Sequence, residues 1–295
     1  MLALRKDQRT CCGRKNNQFT FRQRTCVSGK LIDKENEMKK VFLPVFALTI
    51  IAAVLLAGCS TIGYYVGVGS TVTKEYDYKD YTDLEISYAF QFEISQSSSY
   101  SLTVSTHENL LDHLDIYQSG KTLIIRLKPG SYSNADAKAT VALPELERLV
   151  VSGASRGTVS GFKSTHDLNL KVSGASRLNM NIEAGATNID VTGASNISGN
   201  LKALDTRLMV SGASHCELSG SAGFTSIEAS GASRVDSDGF QLRDASIKLS
   251  GASRATINTN GNLNIDATGA STLNYLGNPI LNKVNVSGAS KINNK

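Results

Sequence analysis

Across residues 151–295, apolar side chains occupy every second position, and the alternation restarts at a nearly fixed interval. One stretch carries Leu170, Val172, Leu178, Met180 and Ile182; another carries Leu208, Val210, Cys216 and Leu218. A period of two is the mark of a strand with one buried face. The restart coincides with the tripeptide Gly-Ala-Ser, which begins at Gly153, Gly174, Gly193, Gly212, Gly231, Gly251, Gly269 and Gly288, each time preceded by Ser or Thr. Spacings of 18 to 21 residues over eight copies identify a repeat architecture. Helical repeats of similar length are excluded by the density of β-branched residues, Asn and Gly.

The pattern predicts an all-β protein, a parallel β-helix-like solenoid of eight coils with a period of about 19. Like residues stack about 4.8 Å apart, and the bias of parallel crossovers predicts right-handed winding. At ~3.3 Å per residue, one coil has a perimeter of at most about 63 Å, so its interior is filled by side chains. Gly-Ala-Ser is read as a corner in which Gly permits the bend and Ala fits the tight inside. Further turn signals follow at Gly161, Gly199, Gly220 and Gly239. Residues 76–150 lack the repeat and read as a β-rich N-terminal cap. Strands are expected near Leu84–Ile94, Leu102–Thr106, Leu114–Tyr117, Leu123–Leu127 and Ala139–Leu143, with one helical turn over "ENLLDH". Such a segment covers the open edge of a solenoid.

The amino terminus reads as address rather than fold. Met38 opens "MKKVFLPVFALTIIAAVLLAGCS", in which Lys39 and Lys40 precede an apolar run over residues 41–56, and Leu56-Ala57-Gly58-Cys59 closes it. This is a signal peptide over 38–58 ending in a box that resembles that of bacterial lipoproteins, with Cys59 the lipidated residue. Residues 1–37 read as a mis-assigned upstream extension, and residues 59–75 as a tether. The expected location is the outer membrane or periplasm, or the cell surface, with the membrane as partner through Cys59. Processing also changes the charge. Residues 1–58 hold 11 of the 31 Lys and Arg and four of the 26 acids, leaving 20 basic and 22 acidic residues, a net charge near −2. A nucleic-acid partner loses its electrostatic support.

One column of the repeat carries candidate binding chemistry. The third residue after each corner Gly is in turn Arg156, Arg177, Asn196, His215, Arg234, Arg254, Thr272 and Lys291. Stacked in register these form a stripe about 34 Å long. Guanidinium groups there suit the carboxylate, sulfate or phosphate of an anionic glycan or envelope polymer; the other reading is a solvated corner whose long side chains cover apolar edges.

Catalysis is not expected, because the β-helix enzymes need clustered acids. Here the acids three positions before each corner, such as Asp190 and Glu228, alternate with Lys171 and Lys248, as in cross-strand charge pairing. His107, His113, His166 and His215 fall at unrelated phases and read as surface residues. Cys11, Cys12 and Cys26 lack metal-site spacing, so no cofactor or metal is expected. Cys216 shares its phase with Leu178 and Val235 and reads as a small buried hydrophobe.

The run "VALPELERLVVSGASRG", preceded by "THENLLDHLDIYQSGKTLIIRLKPG" and followed by the Gly-Ala-Ser copies, resembles the head GIN domain family of adhesin-like proteins over about residues 76–295. The resemblance implies a stacked β-helix-like fold on secreted or lipid-anchored bacterial proteins, and supplies no catalytic residues. The expected function is non-catalytic binding or adhesion; the alternative is a structural protein that assembles through its solenoid ends, and a polysaccharide-active enzyme ranks below both. A monomer or weak tail-to-tail dimer is expected.

Overall fold

The computed structural model describes residues 63–295; the expected signal peptide over 38–58 and Cys59 lie outside them. The N-terminal part forms β1 (Tyr64–Val66), β2 (Thr71–Tyr76), β3 (Asp83–Ile86), β4 (Gln91–Gln96), β5 (Ser101–His107), β6 (Leu114–Ser119), β7 (Thr122–Leu127), β8 (Ser131–Ser133) and β9 (Lys138–Leu143), with one 3-10 turn at Glu108–His113. The repeats begin with β10 (Arg148–Val151) and β11 (Arg156–Lys163). Every Gly-Ala-Ser corner joins a strand of one parallel ladder to a strand of another. The first ladder runs from β7 through β3 and β10 to Leu168–Val172 and, coil by coil, to Ile280–Val286. The second runs from β9 through β4 and β11 to Arg177–Ala184 and ends at Lys291–Asn294. The chain is a β-solenoid with the expected period.

The inward columns are stacked aliphatics. Leu149, Leu170, Ile189, Leu208, Ile227, Ile247 and Ile265 sit one on the next, all buried. Across the corner, Gly157, Leu178, Ile197, Cys216, Val235, Ala255 and Leu273 do the same. Cys216 is fully buried, which pushes its thiol up out of the range in which it would ionise at neutral pH.

The corner differs from expectation in one respect: Ala faces solvent and Ser faces the core. Ala154 is exposed while Ser155 is buried, and seven of the eight corner Ser residues are buried in the same way, with Ser290 of the last coil half-buried. Five of the buried hydroxyls find carbonyls within their own or a neighbouring coil, as in Ser155 Oγ to Ser152 O at 2.9 Å and Ser214 Oγ to Gly193 O at 3.3 Å, while Ser271 Oγ bonds Ser290 Oγ and Ser176 Oγ has no partner among the described residues. A small hydroxyl suits this narrow inside angle because it gives the carbonyl a second donor beside the backbone N–H, where a methyl group gives none.

Each corner Gly has φ between +69° and +79°, the left-handed region. A Cβ on Gly212 would also lie 2.4 Å from the carbonyl oxygen of Gly193 one coil away. That approach is what lets the ladder continue around the bend, with Ala213 N–H donating to Gly193 O and Ala232 N–H to Gly212 O.

The cap contains the same architecture in disguise. β3 and β4 lie in register with β10 and β11, so residues 87–90 stand where Ser-Gly-Ala-Ser stands in the repeats. Tyr88 and Ala89 both have φ +63° there. The stretch expected as one strand over 84–94 is therefore broken by a corner. The cap's outer layer is antiparallel: β5 pairs with β9 and β2, and β6 with β7. The expected helical turn is the 3-10 turn at Glu108–His113. Residues 64–76, most of them expected as tether, are instead cap strands, β1 pairing with β8 and β2 with β5. Inward-facing Tyr65 supplies the reason, stacking on Tyr132 with ring centroids 5.3 Å apart and on His113 at 4.0 Å.

Candidate functional site: the cationic ladder

One residue per coil projects outward immediately after each corner, because the chain leaves the buried Ser and resumes strand alternation. Arg156, Arg177, Asn196, His215, Arg234, Arg254, Thr272 and Lys291 are consecutive partners in the second ladder. The four arginines and Lys291 are exposed, and Asn196, His215 and Thr272 half-buried. The column continues into the cap, since Gln91 pairs with Arg156 and Lys138 with Gln91. Sequence reasoning missed these two rungs because no Gly-Ala-Ser marks them. Lys138 pairs with Glu93 at 2.9 Å.

The column is interrupted midway. Asp236, two residues beyond Arg234, accepts from the Arg234 guanidinium and pairs with His215 Nε2 at 2.9 Å. Burial pushes this carboxyl up, but the two hydrogen bonds and the neighbouring charges outweigh it and hold it below the ordinary carboxylate range. Arg156, Arg177 and Arg254 make no ion pair among the described residues. The next outward column, from Thr158 through Asn179, Ser198, Glu217 and Asp236 to Thr256, Asn274 and Asn293, is polar throughout. Its side chains bond along the axis, as in Asn179 to Ser198 at 3.2 Å and Asn293 to Asn274 at 3.0 Å. The result is a polar strip edged by guanidinium groups, with Thr256 and Asn274 buried in it.

On the other sheet, the expected charge pairing is present in part: Lys171 meets Asp190 at 3.9 Å, whereas Glu228 pairs not with Lys248 but with Arg207 of the adjacent column at 3.4 Å. A shallow depression there is lined by Arg148, Asn169, Lys171, Asn188, Asp190 and Arg207. His107 departs from the surface reading. It is buried, with Nδ1 3.0 Å from Gly69 O and Nε2 3.3 Å from Asp136, and so ties the chain after β1 to the loop before β9. Among the described residues no three His, Cys, Asp or Glu side chains converge as metal ligands, and no helix is long and apolar enough to cross a membrane.

A family profile described as "Putative auto-transporter adhesin, head GIN domain" matches residues 80–279. The chain belongs to the head GIN domain family. The family's fold recurs in solved structures: a "putative lipid binding protein" of Parabacteroides distasonis is similar with TM-score 0.74 and 20% identity, over 79% of this chain and 99% of that one. A "putative adhesin" of the same organism and another of Parabacteroides merdae each show TM-score 0.74 and 18% identity over 79% of this chain, and cover 100% and 99% of their own. At such identities the likeness concerns the fold. Comparison with curated proteins finds no match. The head GIN profile spans β3 to Thr272–Leu276, so the degenerate corner at Tyr88 lies within the domain the family shares.

Proposed function

We propose that this head GIN protein is a non-catalytic binding module of the bacterial cell envelope, held at a membrane by lipidated Cys59, whose cationic ladder takes an extended anionic glycan or envelope polymer. The observation that carries this reading is the register: Arg156 beside Arg177, and Arg234 beside Arg254, form two exposed pairs on one straight edge. Adjacent guanidinium groups repel each other, and a polyanion lying along the edge relieves that repulsion. The adhesin description of the family supports binding over catalysis.

The test is a glycan and envelope-polymer array, followed by replacing Arg156, Arg177, Arg234 and Arg254 together with Gln. At about 0.5 kcal/mol for each exposed charge contact, affinity for the captured polymer falls about thirtyfold, and its dependence on salt flattens. Arg156, Arg177 and Arg254 contribute less than about 0.5 kcal/mol to any change in stability, and Arg234→Gln adds about 1 kcal/mol because it takes a hydrogen-bond partner from Asp236. Unchanged affinity in the quadruple variant removes the ladder as the site.

A second reading, assembly through the solenoid end, rests on Ile280–Val286. This strand is exposed along its whole length, Ile280 at 64%, with Leu281, Val284 and Val286 also bare. Lys283 on this strand and Lys291 and Lys295 after the last corner are exposed and oppose pairing of two like ends. The expected result is a monomer at micromolar concentration by sedimentation, with association when Lys291, Asn293 and Lys295 become Val. A tight assembly of the unaltered protein would favour the structural reading over the binding one.

A further inference from the structure

The strand nearest the lipid attachment site carries an uncharged face with nothing upon it. In β1 and the residue pair after it, side chains alternate strictly: Tyr65 and Gly67 point in, and Tyr64, Val66 and Val68 point out, exposed by 68%, 41% and 58%. The strand's position is fixed from behind. Tyr65 stacks on Tyr132 and His113. Asn109 accepts from Val68 N–H at 3.0 Å and donates to Val66 O at 2.8 Å. A Cβ on Gly67 would fall 1.9 Å from Asn134 O, so that position sits flat against the cap. Ser131 and Ser133 of β8 pair with Tyr64 and Val66 and complete an outward surface without charge. From Cys59 to Thr73 the sequence holds no Asp, Glu, Lys or Arg.

Chain length says what covers this face. Four Cα steps separate Cys59 from Gly63, the first described residue, and even fully extended they span no more than about 14 Å. An acyl chain on Cys59 therefore leaves β1 within reach of the headgroup layer, where Tyr is favoured because its ring is apolar and its hydroxyl polar. We infer that β1 is a membrane seat: Tyr64, Val66 and Val68 rest in the interfacial region of the bilayer that holds the lipidated Cys59, and the solenoid stands on it by its cap. This rests on the anchoring part of the proposed function.

The protein has no Trp, so a single introduced indole reports position. Full-length protein bearing Tyr64→Trp, and separately Leu204→Trp, is purified with its lipid and reconstituted in phosphatidylethanolamine/phosphatidylglycerol vesicles with or without lipid brominated near the headgroup. Leu204 is 69% exposed and lies in the turn after Asn196–Ala203, four rungs from β9, about 19 Å along the axis. Brominated lipid is expected to quench the fluorescence of the Tyr64→Trp protein about twofold and to leave that of the Leu204→Trp protein unchanged. Adding Val66→Ser and Val68→Ser to Tyr64→Trp lowers that quenching. Mass spectrometry of the N-terminal peptide separates the two possible failures. An acylated Cys59 with no quenching in the Tyr64→Trp protein, or equal quenching in both proteins, overturns the seat and leaves the anchor standing; an unacylated Cys59 overturns the anchor and the seat with it.

Discussion

Gly212→Val is expected to cost about 4–6 kcal/mol of folding stability, most of what a domain of ordinary stability possesses. A β-branched residue in the left-handed region is disfavoured by at least about 1–2 kcal/mol, and Gly212 sits at φ +74°. Its new Cβ would meet Gly193 O at 2.4 Å. The coils must then separate, which weakens the hydrogen bonds from Ala213 N–H to Gly193 O and from Ala232 N–H to Gly212 O at about 1 kcal/mol each. Ala213→Ser, one residue on and exposed, should change stability by less than about 0.5 kcal/mol. Urea unfolding followed by circular dichroism compares the two. Were the phrase a recognition code rather than a construction device, both variants would unfold like wild type.

The second large effect belongs to the rung where cap meets repeats. Phe92 is 2% exposed, with Ala139 on one side of it in the ladder and Gly157 on the other. A Cβ on Gly157 would lie 2.3 Å from the Phe92 ring and equally close to its carbonyl oxygen, so this glycine is required for room rather than for its dihedral angles. Phe92→Ala leaves a void between two residues too small to fill it, and about 3–5 kcal/mol of stability is lost. Phe92→Leu should cost less than half as much, since it keeps most of the volume. A loss under about 1 kcal/mol for the alanine variant, measured by the same unfolding curves, would show that the neighbouring coils collapse onto the site.

The repeat was legible because each coil is written in one phrase and each phase of the phrase has one environment. That is why the column from Arg156 to Lys291 could be assembled from spacing alone, and why Cys216 could be placed in the core. What spacing cannot carry is direction within the corner. Ala and Ser are both small, and only the carbonyls lining the inside, such as Ser152 O and Gly193 O, decide between them. The hidden corner at Tyr88 and Ala89 was illegible for a different reason. It stacks on the Gly153 corner on one side only; on the other side it follows the chain between β7 and β9, which carries no Gly-Ala-Ser, so the phrase that marks every later corner is missing from it. The Asp236 clasp was invisible because it joins Arg234 of its own strand to His215 of the neighbouring coil, a diagonal that a column-by-column reading does not draw.

The path of the chain through the cap also sets an order of assembly. β3 and β4 lie between β7 and β9 on one side and β10 and β11 on the other, so the rung they form waits for both neighbours. Its pairing of Asp83 with Arg148 spans about 65 residues, and closing so long a loop precedes any gain from the contact. After Val151 the problem changes character. Each new coil docks onto a finished template only 18 to 21 residues behind it, and growth becomes local, like a zipper running toward the C-terminus. A lesion in the cap should therefore delay folding of the whole protein, whereas a lesion in a late coil should truncate the zipper and leave the earlier turns folded.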